Sequence, residues 1–184
     1  TAQETEPGAP PSERGEARTL TILEATYAQD YRTIASYLLR RTGDHDLAQE
    51  LASETFAEAL RSLDRWNPQG LPLRAWLFRI ATRRLAHHRR RQGRAARLMT
   101  RWLGGRAPNR THFADPCADA SSVRAAIARL RPPLQDVLVL HHVEGMSVPE
   151  IALTLGVAEG TVKSRLFRAR SALHAHLCEL GVQP

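Results

Sequence analysis

The residues best suited to chemistry lie in the last quarter of the chain, on a predicted helix that begins near Glu159. At 100° per residue, the apolar side chains of this helix form one stripe about 60° wide, and polar side chains fill the opposite face. The stripe consists of Val162, Leu166, Ala169 and Leu173, and the opposite face of Gly160, Lys163, Ser164, Phe167, Arg168 and Ser171, with Arg170 at its edge. Cations, hydroxyls and one aromatic ring facing outward suit the phosphates and base edges of a DNA major groove.

A second predicted helix precedes this one and must position it. Ser147 and Glu150 have the spacing of a capping box, so they indicate a helix start, and Gly156 suits the left-handed residue that ends the helix. The two helices and their tight turn predict a helix-turn-helix. Gly160 would let the start of the second helix approach a DNA backbone, and the helix N-terminus itself favours phosphate. The alternative left open by these residues is a solvated amphipathic helix in an ordinary bundle.

Charge is distributed unevenly along the 184 residues, whose formal net charge is +7. Nine arginines and no acidic residue occur between Arg83 and Arg106. This balance points to a polyanionic partner. The first 17 residues instead carry four glutamates and three prolines, which predicts a disordered tail.

Catalysis and metal binding are not indicated. The two cysteines, Cys117 and Cys178, form no CxxC pair, so neither a zinc site nor a disulfide framework is expected. The eight histidines include adjacent and alternating pairs, whose side chains diverge on a helix. Without a Ser-His-Asp or phosphate-loop motif, we expect no enzyme, no metal and no cofactor. No segment approaches 18 apolar residues and no signal pattern opens the chain, so we expect a soluble cytoplasmic protein.

Helical spacing dominates the rest of the chain, and no strand pattern is evident. Helices are predicted over residues 18–41, from about Asp46 to Leu63 with Leu51, Phe56, Ala59 and Leu63 facing inward, and from near Pro72 into the arginine-rich tract. Helices resume at Ser121, where Val123, Ile127 and Leu130 share one face, and again at Pro133. Between them, Gly, Pro and Asn residues interrupt the helical pattern.

The sequence therefore predicts an all-α chain with two small helical domains on a flexible tether. The predicted parts are a tail at residues 1–17, a first domain at 18–92, a linker at 93–120 and a second domain at 121–184. Each domain is near the lower size limit for an independent core, so mutual packing or a partner would help to stabilise it.

Several segments resemble the extracytoplasmic-function (ECF) sigma factors of bacterial RNA polymerase. The stretch Leu130-Arg-Pro-Pro-Leu-Gln-Asp-Val-Leu-Val-Leu140 and the helix-turn-helix ending in Gly160-Thr-Val-Lys-Ser-Arg-Leu-Phe-Arg-Ala-Arg170 look like sigma region 4. Asp46-Leu-Ala-Gln-Glu-Leu-Ala-Ser-Glu-Thr-Phe56 and Ala75-Trp-Leu-Phe-Arg-Ile-Ala81 look like sigma region 2. The chain lacks the length for the extra central domain of larger sigma factors.

The resemblance implies three binding surfaces. Region 4 would bind the duplex −35 promoter element through Gly160, Thr161, Lys163, Ser164, Phe167, Arg168 and Arg170. Region 2 would hold the melted −10 strand, with Trp66 stacking on an unpaired base; its residues would be Ser62, Asp64, Arg65, Trp66, Asn67, Arg83, Arg84, His87, His88 and Arg90. Core polymerase would dock on Asp46, Gln49, Glu50 and Glu54.

The sequence departs from the usual family pattern at a few of these positions. Gln49, Glu50 and Ser53 stand where the family usually has Glu-Asp followed by Gln. Arg83 replaces a usual Asn and His87 a usual Asp. Arg83 cannot accept hydrogen bonds as Asn does, so these changes bear on the −10 base preference.

The partners implied are core RNA polymerase, at its clamp and flap, promoter DNA as duplex and single strand, and, as is common in the family, an anti-sigma factor. Two alternatives remain. A helix-turn-helix regulator that binds duplex DNA as a dimer would explain residues 121–180, but it would leave the Trp66 loop and the acidic helix without a role. A basic architectural protein would bind DNA with steep salt dependence and no sequence preference.

Overall fold

The computed structural model describes residues 11–67, 70–103 and 118–181, and the side chains of 27–67, 70–95 and 122–181. These residues form seven α-helices, one 3₁₀ turn and no strand. The helices are α1 (Pro11–Thr42), α2 (His45–Arg61), α3 (Leu73–Leu103), α4 (Ala118–Arg129), α5 (Pro132–His142), α6 (Val148–Leu155) and α7 (Glu159–Glu179), with the 3₁₀ turn at Leu63–Arg65. The predicted all-α fold with two helical domains is confirmed. No helix in the described ranges is long and apolar enough to cross a membrane.

Helices α1, α2 and α3 form an N-terminal unit. Its core contains Ile34, Tyr37 and Leu38 from α1 and Leu77 and Phe78 from α3, all almost fully buried. The predicted inward residues of the second helix, Leu51, Phe56, Ala59 and Leu63, are also buried. Burial of each large apolar side chain contributes about 1.5–3 kcal/mol, so this core dominates the stability of the unit.

Helices α4 to α7 form a C-terminal unit. Leu130 and Leu138 pack against Ala169 of α7. Val162 and Leu166 of α7 and Ile151 of α6 belong to a larger buried cluster, which also contains residues of the N-terminal unit. The apolar stripe predicted for the last helix is therefore its buried face.

The helix boundaries differ from the sequence prediction at several points. Helix α1 begins at Pro11, where the missing N–H and fixed φ of proline suit a helix start, so residues 11–17 of the predicted tail are helical. Helix α3 continues to Leu103, because its arginine, alanine and leucine residues are good helix formers. Helix α2 ends at Arg61, and Leu63 opens the 3₁₀ turn. Residues 1–10 and 104–117 of the predicted tail and linker lie outside the described residues.

Helix α4 and the packing of the two units also differ from the sequence prediction. Helix α4 begins at Ala118 rather than Ser121, and Val123, predicted to face inward with Ile127 and Leu130, is 39% exposed. The inward stripe of this short helix is narrower than its apolar residues suggest. The two units also pack directly on each other, since one continuous buried cluster contains side chains from α1, α2, α3, α5, α6 and α7.

Candidate nucleic-acid interface

The start of α6 has both hydrogen bonds of the predicted capping box. The Glu150 backbone N–H donates to Ser147 Oγ at 3.4 Å, and the Ser147 backbone N–H donates to Glu150 Oε2 at 2.8 Å. The backbone hydrogen bond from Ser147, followed by the one from its side chain, lowers the pKa of Glu150 from its ordinary value. At the other end of α6, Gly156 has φ 66°, in the left-handed region. Both ends of α6 are thus set by local chemistry, and they orient α7.

Helix α7 divides into a buried and an outward face, as its sequence predicts. Val162, Leu166 and Ala169 are buried. Phe167 is 73% exposed, although large apolar side chains are usually buried. The predicted −35 residues occupy the first twelve positions of this helix: Gly160, Lys163, Phe167, Arg168 and Arg170 are exposed, and Thr161 and Ser164 are half-buried.

Two arginines on this face are oriented by neighbouring side chains. Arg168 donates from Nε to the Ser164 carbonyl at 3.3 Å and from Nη2 to Ser164 Oγ at 3.2 Å. Arg170 Nε donates to His142 Nε2 at 3.3 Å. Burial, followed by the charges of His141 and Arg170, lowers the pKa of His142 from its ordinary 6.5, so a neutral imidazole accepts this bond at neutral pH.

His142 is a part of this surface that sequence reasoning missed. It lies 28 residues before Arg170 and on a different helix, α5. No local spacing connects the two residues, so only the packing of α5 on α7 brings them together.

The first turn of α7 is open to a ligand. Ala158 precedes the helix without a side-chain cap for its N–H groups. A Cβ added to Gly160 would meet nothing within 4 Å among the described residues. Free N–H groups at a helix N-terminus attract phosphate, so this end of α7 suits a DNA backbone, as the sequence predicts.

Trp66 lies in the loop between the 3₁₀ turn and α3, and it is held at two points. Its ring stacks on Trp76, with 5.5 Å between ring centroids and 23° between planes. Its indole N–H donates to the Leu71 carbonyl at 2.8 Å. The side chain is half-buried, so Trp66 both anchors its loop and keeps part of its surface accessible.

The other loop residues predicted to hold the −10 strand lie next to Trp66 in the sequence. Ser62 Oγ donates to the Glu58 carbonyl at 2.6 Å, so this hydroxyl closes the end of α2. Asp64 and Arg65 are exposed and 3.9 Å apart, which is a weak surface ion pair. Asn67 is exposed, and its carbonyl accepts the Gly70 and Leu71 N–H groups at 3.1 Å.

The basic residues predicted on α3 fall into two groups. Arg83, His87 and Arg90 are exposed. Arg84 instead reaches back to α2, where its Nε donates to Glu58 at 2.5 Å and its Nη1 to Glu54 at 3.0 Å.

His88 is half-buried, and its Nε2 has no hydrogen-bond partner within the described ranges. Exposure leaves Arg83, His87 and Arg90 free to follow a phosphate backbone, whereas Arg84 joins α2 to α3.

The acidic surface of α2 contains the residues predicted to dock polymerase. Asp46, Gln49 and Glu50 are exposed, whereas Glu54 shares Arg84 with Glu58. Glu54 therefore has a structural partner within the unit, and Glu50 is the cleaner probe of docking.

Neither a metal site nor a disulfide appears in the part of the chain that the structure describes. No group of three or more potential ligands from His, Cys, Asp and Glu occurs there. Cys178 is an exposed free thiol, and Cys117 lies outside the described residues.

Comparison with known proteins gives matches over both units. The protein-family model for sigma-70 region 2 matches residues 26–95, and the model for sigma-70 region 4 matches residues 120–173. The ECF RNA polymerase sigma factor SigL of Mycobacterium tuberculosis is 32% identical over 163 residues, which is 88% of this chain and 92% of SigL. The sigma factor YlaC of Bacillus subtilis is 29% identical and covers 84% of this chain and 91% of its own length.

Solved structures have a similar fold. The sigma factor RpoE of Bartonella quintana, in complex with the anti-sigma factor NepR, has a TM-score of 0.73 and 23% identity, and covers 84% of this chain and 96% of its own. CnrH in complex with the cytosolic domain of CnrY has a TM-score of 0.60 and 25% identity, and the match covers 91% of this chain and 95% of the CnrH chain. The RpoE match is evidence about the fold alone.

Proposed function

Because the chain belongs to the ECF sigma factors of RNA polymerase, we propose a division of labour between its two units on the promoter. As a sigma factor it binds core polymerase, directs it to promoters through the −35 and −10 elements, and promotes promoter melting. In our proposal, residues 18–92 form the −10 and polymerase-binding domain and residues 121–184 the −35 domain. Residues 93–120 connect the two, and residues 1–17 precede them.

For the −35 element, we assign recognition to the outward face of α7. The observation that carries this assignment is the helix-turn-helix, whose capping box and Gly156 turn leave Lys163, Phe167 and Arg168 pointing away from the protein. Lys163 and Arg168 would contact base edges or phosphates, and an aromatic ring suits apolar contact with a thymine methyl group. Arg170, oriented by His142, would contact the backbone at the edge of this face.

For the −10 element, the Trp66 loop would receive an unpaired base, and exposed residues of α3 would follow the strand. The stack on Trp76 supports a rigid platform, because a ring that is already ordered loses little entropy when a base stacks on it. Arg83, His87 and Arg90 supply the exposed basic and imidazole groups. Arg84 would act mainly by fixing α3 against α2.

The exposed acidic side of α2 would dock on core polymerase, with Asp46, Gln49 and Glu50 in contact and Glu54 at the edge. On a chain with net charge +7, an acidic patch suits a basic protein surface rather than nucleic acid. Such contacts steer association as well as stabilise it.

Further partners follow from the relatives. The matched RpoE structure contains the anti-sigma factor NepR, and the CnrH structure contains the cytosolic domain of CnrY, so we propose an anti-sigma factor as a partner of this chain as well. Sigma factors are recognition subunits, so the chemistry would belong to the polymerase and this chain would not be an enzyme. It would act in the cytoplasm, where the polymerase and the promoter are.

The first experiment is gel filtration of the purified chain with sigma-free core polymerase, without DNA. We expect a stoichiometric complex that Glu50→Lys weakens and Glu179→Lys leaves intact. Glu179 pairs with Arg129 at 2.6 Å in the other unit, so it controls for the change of charge. The absence of a complex, together with tight duplex binding by the chain alone, would favour the dimeric regulator.

A further inference from the structure

One exposed arginine of the proposed −35 surface has a histidine as its bonding partner. Arg170 of α7 donates from Nε to Nε2 of His142, the last residue of α5, at 3.3 Å. The Nη groups of Arg170 have no partner among the residues that the structure describes. A guanidinium fork matches a carboxylate or a phosphate best, so its strongest binding capacity is unused here. We call these two side chains the Arg170–His142 pair.

The His142 ring is held between Arg170 and His141, its neighbour on α5. The two imidazoles meet edge to face, with 4.8 Å between ring centroids and 73° between planes. His141 is fixed in turn, because its Nδ1 lies 2.9 Å from the Met146 carbonyl oxygen, which only accepts. Since His142 Nε2 accepts from Arg170, the neutral His142 ring carries its proton on Nδ1. The atom that faces Arg170 therefore has no proton to give to a ligand while the ring is neutral.

The charges that act on His142 are positive. Burial, followed by the charges of His141 on α5 and Arg170 on α7, lowers the pKa of His142 from its ordinary value. The carboxylates that follow α5 have other partners, since Glu144 is buried against α1 and α3 and Glu150 caps the start of α6. No carboxylate in the described ranges therefore compensates a proton on His142.

A DNA phosphate would reverse this electrostatic balance. An anion beside a histidine favours the charged imidazolium, whereas neighbouring cations disfavour it. A proton taken up from solvent turns Nε2 from an acceptor into a donor, so the bond to Arg170 is replaced by a bond to the phosphate. The unbridged oxygens of the phosphate then accept from both side chains. Hydrogen bonds between charged groups are roughly twice as strong as neutral ones, so the exchange is favourable.

The Arg170–His142 pair lies where a backbone phosphate of the −35 duplex is expected. Arg170 is at the edge of the outward face of α7, and Lys163 and Arg168 lie nearer its middle. His142 extends this surface sideways onto α5. When a recognition helix enters the major groove, the middle of its outward face meets base edges, and flanking residues meet the backbone.

We propose that the Arg170–His142 pair is a proton-linked phosphate site, in which His142 takes up a proton and contacts the −35 backbone together with Arg170. This inference rests on the proposed function. It gives His142 a DNA contact of its own, in addition to orienting Arg170. Because the protonated ring binds phosphate better, promoter affinity rises as the pH falls below neutral, and it levels off once the free protein is protonated as well.

The first measurement is the affinity of the holoenzyme for a promoter duplex between pH 8 and pH 6, at constant ionic strength. The duplex is selected from a random library with the parent holoenzyme. Linkage to one proton changes affinity by at most about tenfold per pH unit. Relative to His142→Gln, we expect the parent to bind roughly three- to tenfold more tightly at pH 6 than at pH 8. Glutamine keeps a hydrogen-bonding side chain that does not titrate, so this ratio removes the pH dependence of the polymerase itself.

Two further variants serve as controls. His142→Arg places a permanent cation beside Arg170, so it should bind tightly at both pH values and follow the same pH profile as His142→Gln. His174→Gln should keep the parent profile, because His174 is an exposed histidine of α7 outside the proposed DNA surface. Circular dichroism at both pH values checks that each variant is folded.

A second readout observes the proton itself. The Hε1 resonance of His142, assigned by its absence from His142→Gln, is titrated by nuclear magnetic resonance in the full chain, with and without a duplex of unselected sequence. Low salt favours phosphate contacts, so the chain alone binds the duplex under these conditions. We expect a higher pKa for His142 with the duplex than without it, and a smaller increase in Arg170→Gln, which loses the cation that holds the phosphate beside the ring.

The outcomes separate this inference from the proposed function. A parent profile that matches His142→Gln, or a pKa of His142 that DNA leaves unchanged, would overturn the proton-linked site. Weaker relative binding at pH 6 would also overturn it, since protonation would then only release Arg170. If the holoenzyme did not form or selected no duplex, the proposed function would fail, while the titration with unselected duplex would still decide whether the pair binds phosphate.

Discussion

Among single residues, Arg168 is the one whose setting most closely fits a base contact. It is exposed on the outward face of α7, and two contacts to Ser164 orient its guanidinium. Arg165, three residues before Arg168 on the same helix, lies off that face and is half-buried. The pair provides a matched comparison on one helix.

We expect Arg168→Ala to weaken discrimination between the cognate −35 element and a scrambled one by about 1–3 kcal/mol, as the loss of a good bidentate contact does. Arg165→Ala should reduce affinity for both sequences alike. Transcription by the reconstituted polymerase on two templates that differ only in the −35 element measures this discrimination. Selectivity that survives Arg168→Ala would contradict our assignment of the outward face.

Trp66 combines two roles that substitution can separate. Trp66→Ala removes both the ring and the bond to the Leu71 carbonyl, whereas Trp66→Phe keeps an aromatic face. Stacking of a base is worth about 1–3 kcal/mol, so we expect Trp66→Ala to reduce open-complex formation strongly and Trp66→Phe to reduce it less. Permanganate reactivity of the −10 thymines measures opening, and core binding serves as the control. If Trp66→Ala left promoter opening unchanged, Trp66 would not have the proposed role of stacking on an unpaired base.

Tyr37 makes stability depend on pH in the alkaline range. Burial, followed by the nearby Asp136 carboxylate, raises the pKa of Tyr37 to about 12. The folded state keeps this proton while the unfolded chain loses it above about pH 10, so the stabilisation is complete below pH 10 and is lost as pH rises toward 12. The loss is about 1.4 kcal/mol per pH unit within that window.

Urea unfolding at pH 8 and pH 11 checks this prediction. Tyr37→Phe should be somewhat less stable at pH 8, because it lacks the 3.3 Å contact with Thr82, but it should lose less stability by pH 11 than the parent chain does. Equal losses in both proteins would show that Tyr37 does not carry the effect. Tyr27→Phe is the control, since Tyr27 is 45% exposed.

At the scale of elements, the junction of α6 and α7 depends on two glycines with different requirements. Gly156 has φ 66°, a conformation that costs other residues roughly 1–2 kcal/mol. Gly160 lies in the first turn of α7 and has open space around it. The first glycine is needed for the fold, and the second is needed only if DNA approaches closely.

We expect Gly160→Ala to stabilise the chain slightly, by about 0.5 kcal/mol, because alanine is the better helix former. The same change should weaken −35 binding, since the added methyl group would stand where the backbone phosphate approaches. Gly156→Ala should destabilise the fold instead. Thermal unfolding and promoter binding measured on both variants check this, and undiminished promoter binding by Gly160→Ala would contradict the proposed approach.

For the whole molecule, we expect the contact between the units to couple their folding. The family models match residues 26–95 and 120–173, and both segments are short for a domain that must form a stable core by itself. The shared apolar cluster and the buried ion pair of Arg41 with Asp136 therefore stabilise both units at once. Removing one partner of a buried ion pair lowers the free energy of unfolding by about 3–5 kcal/mol. This is an upper value for the Arg41 pair, because separation of the two units would let water reach the arginine.

We expect one thermal unfolding transition for the parent chain, and an earlier, broader or divided transition for Asp136→Arg as the units uncouple. Circular dichroism at 222 nm follows the loss of helix. Glu179→Arg should keep the single transition. A single transition at the same temperature in Asp136→Arg would mean that the units do not stabilise each other.

Much of this protein can be predicted from its sequence because the determining interactions are local. Helical spacing predicted the buried stripe of α7, and the capping box with Gly156 predicted the turn, since each depends on residues within a few positions. The outward residues of α7, such as Lys163 and Phe167, follow from the same periodicity. The resemblance to sigma regions 2 and 4 likewise rests on contiguous motifs.

Tertiary structure decided what the charged and aromatic side chains meet. Arg84 pairs with Glu54, 30 residues earlier, and Arg41 meets Gln135, 94 residues later, so no local pattern could distinguish these arginines from the exposed ones. The stack of Trp66 on Trp76 depends on how the loop folds back onto α3. Periodicity decides which face of a helix is buried, but the partner of each side chain depends on how the helices pack, and packing brings together residues that are distant in sequence.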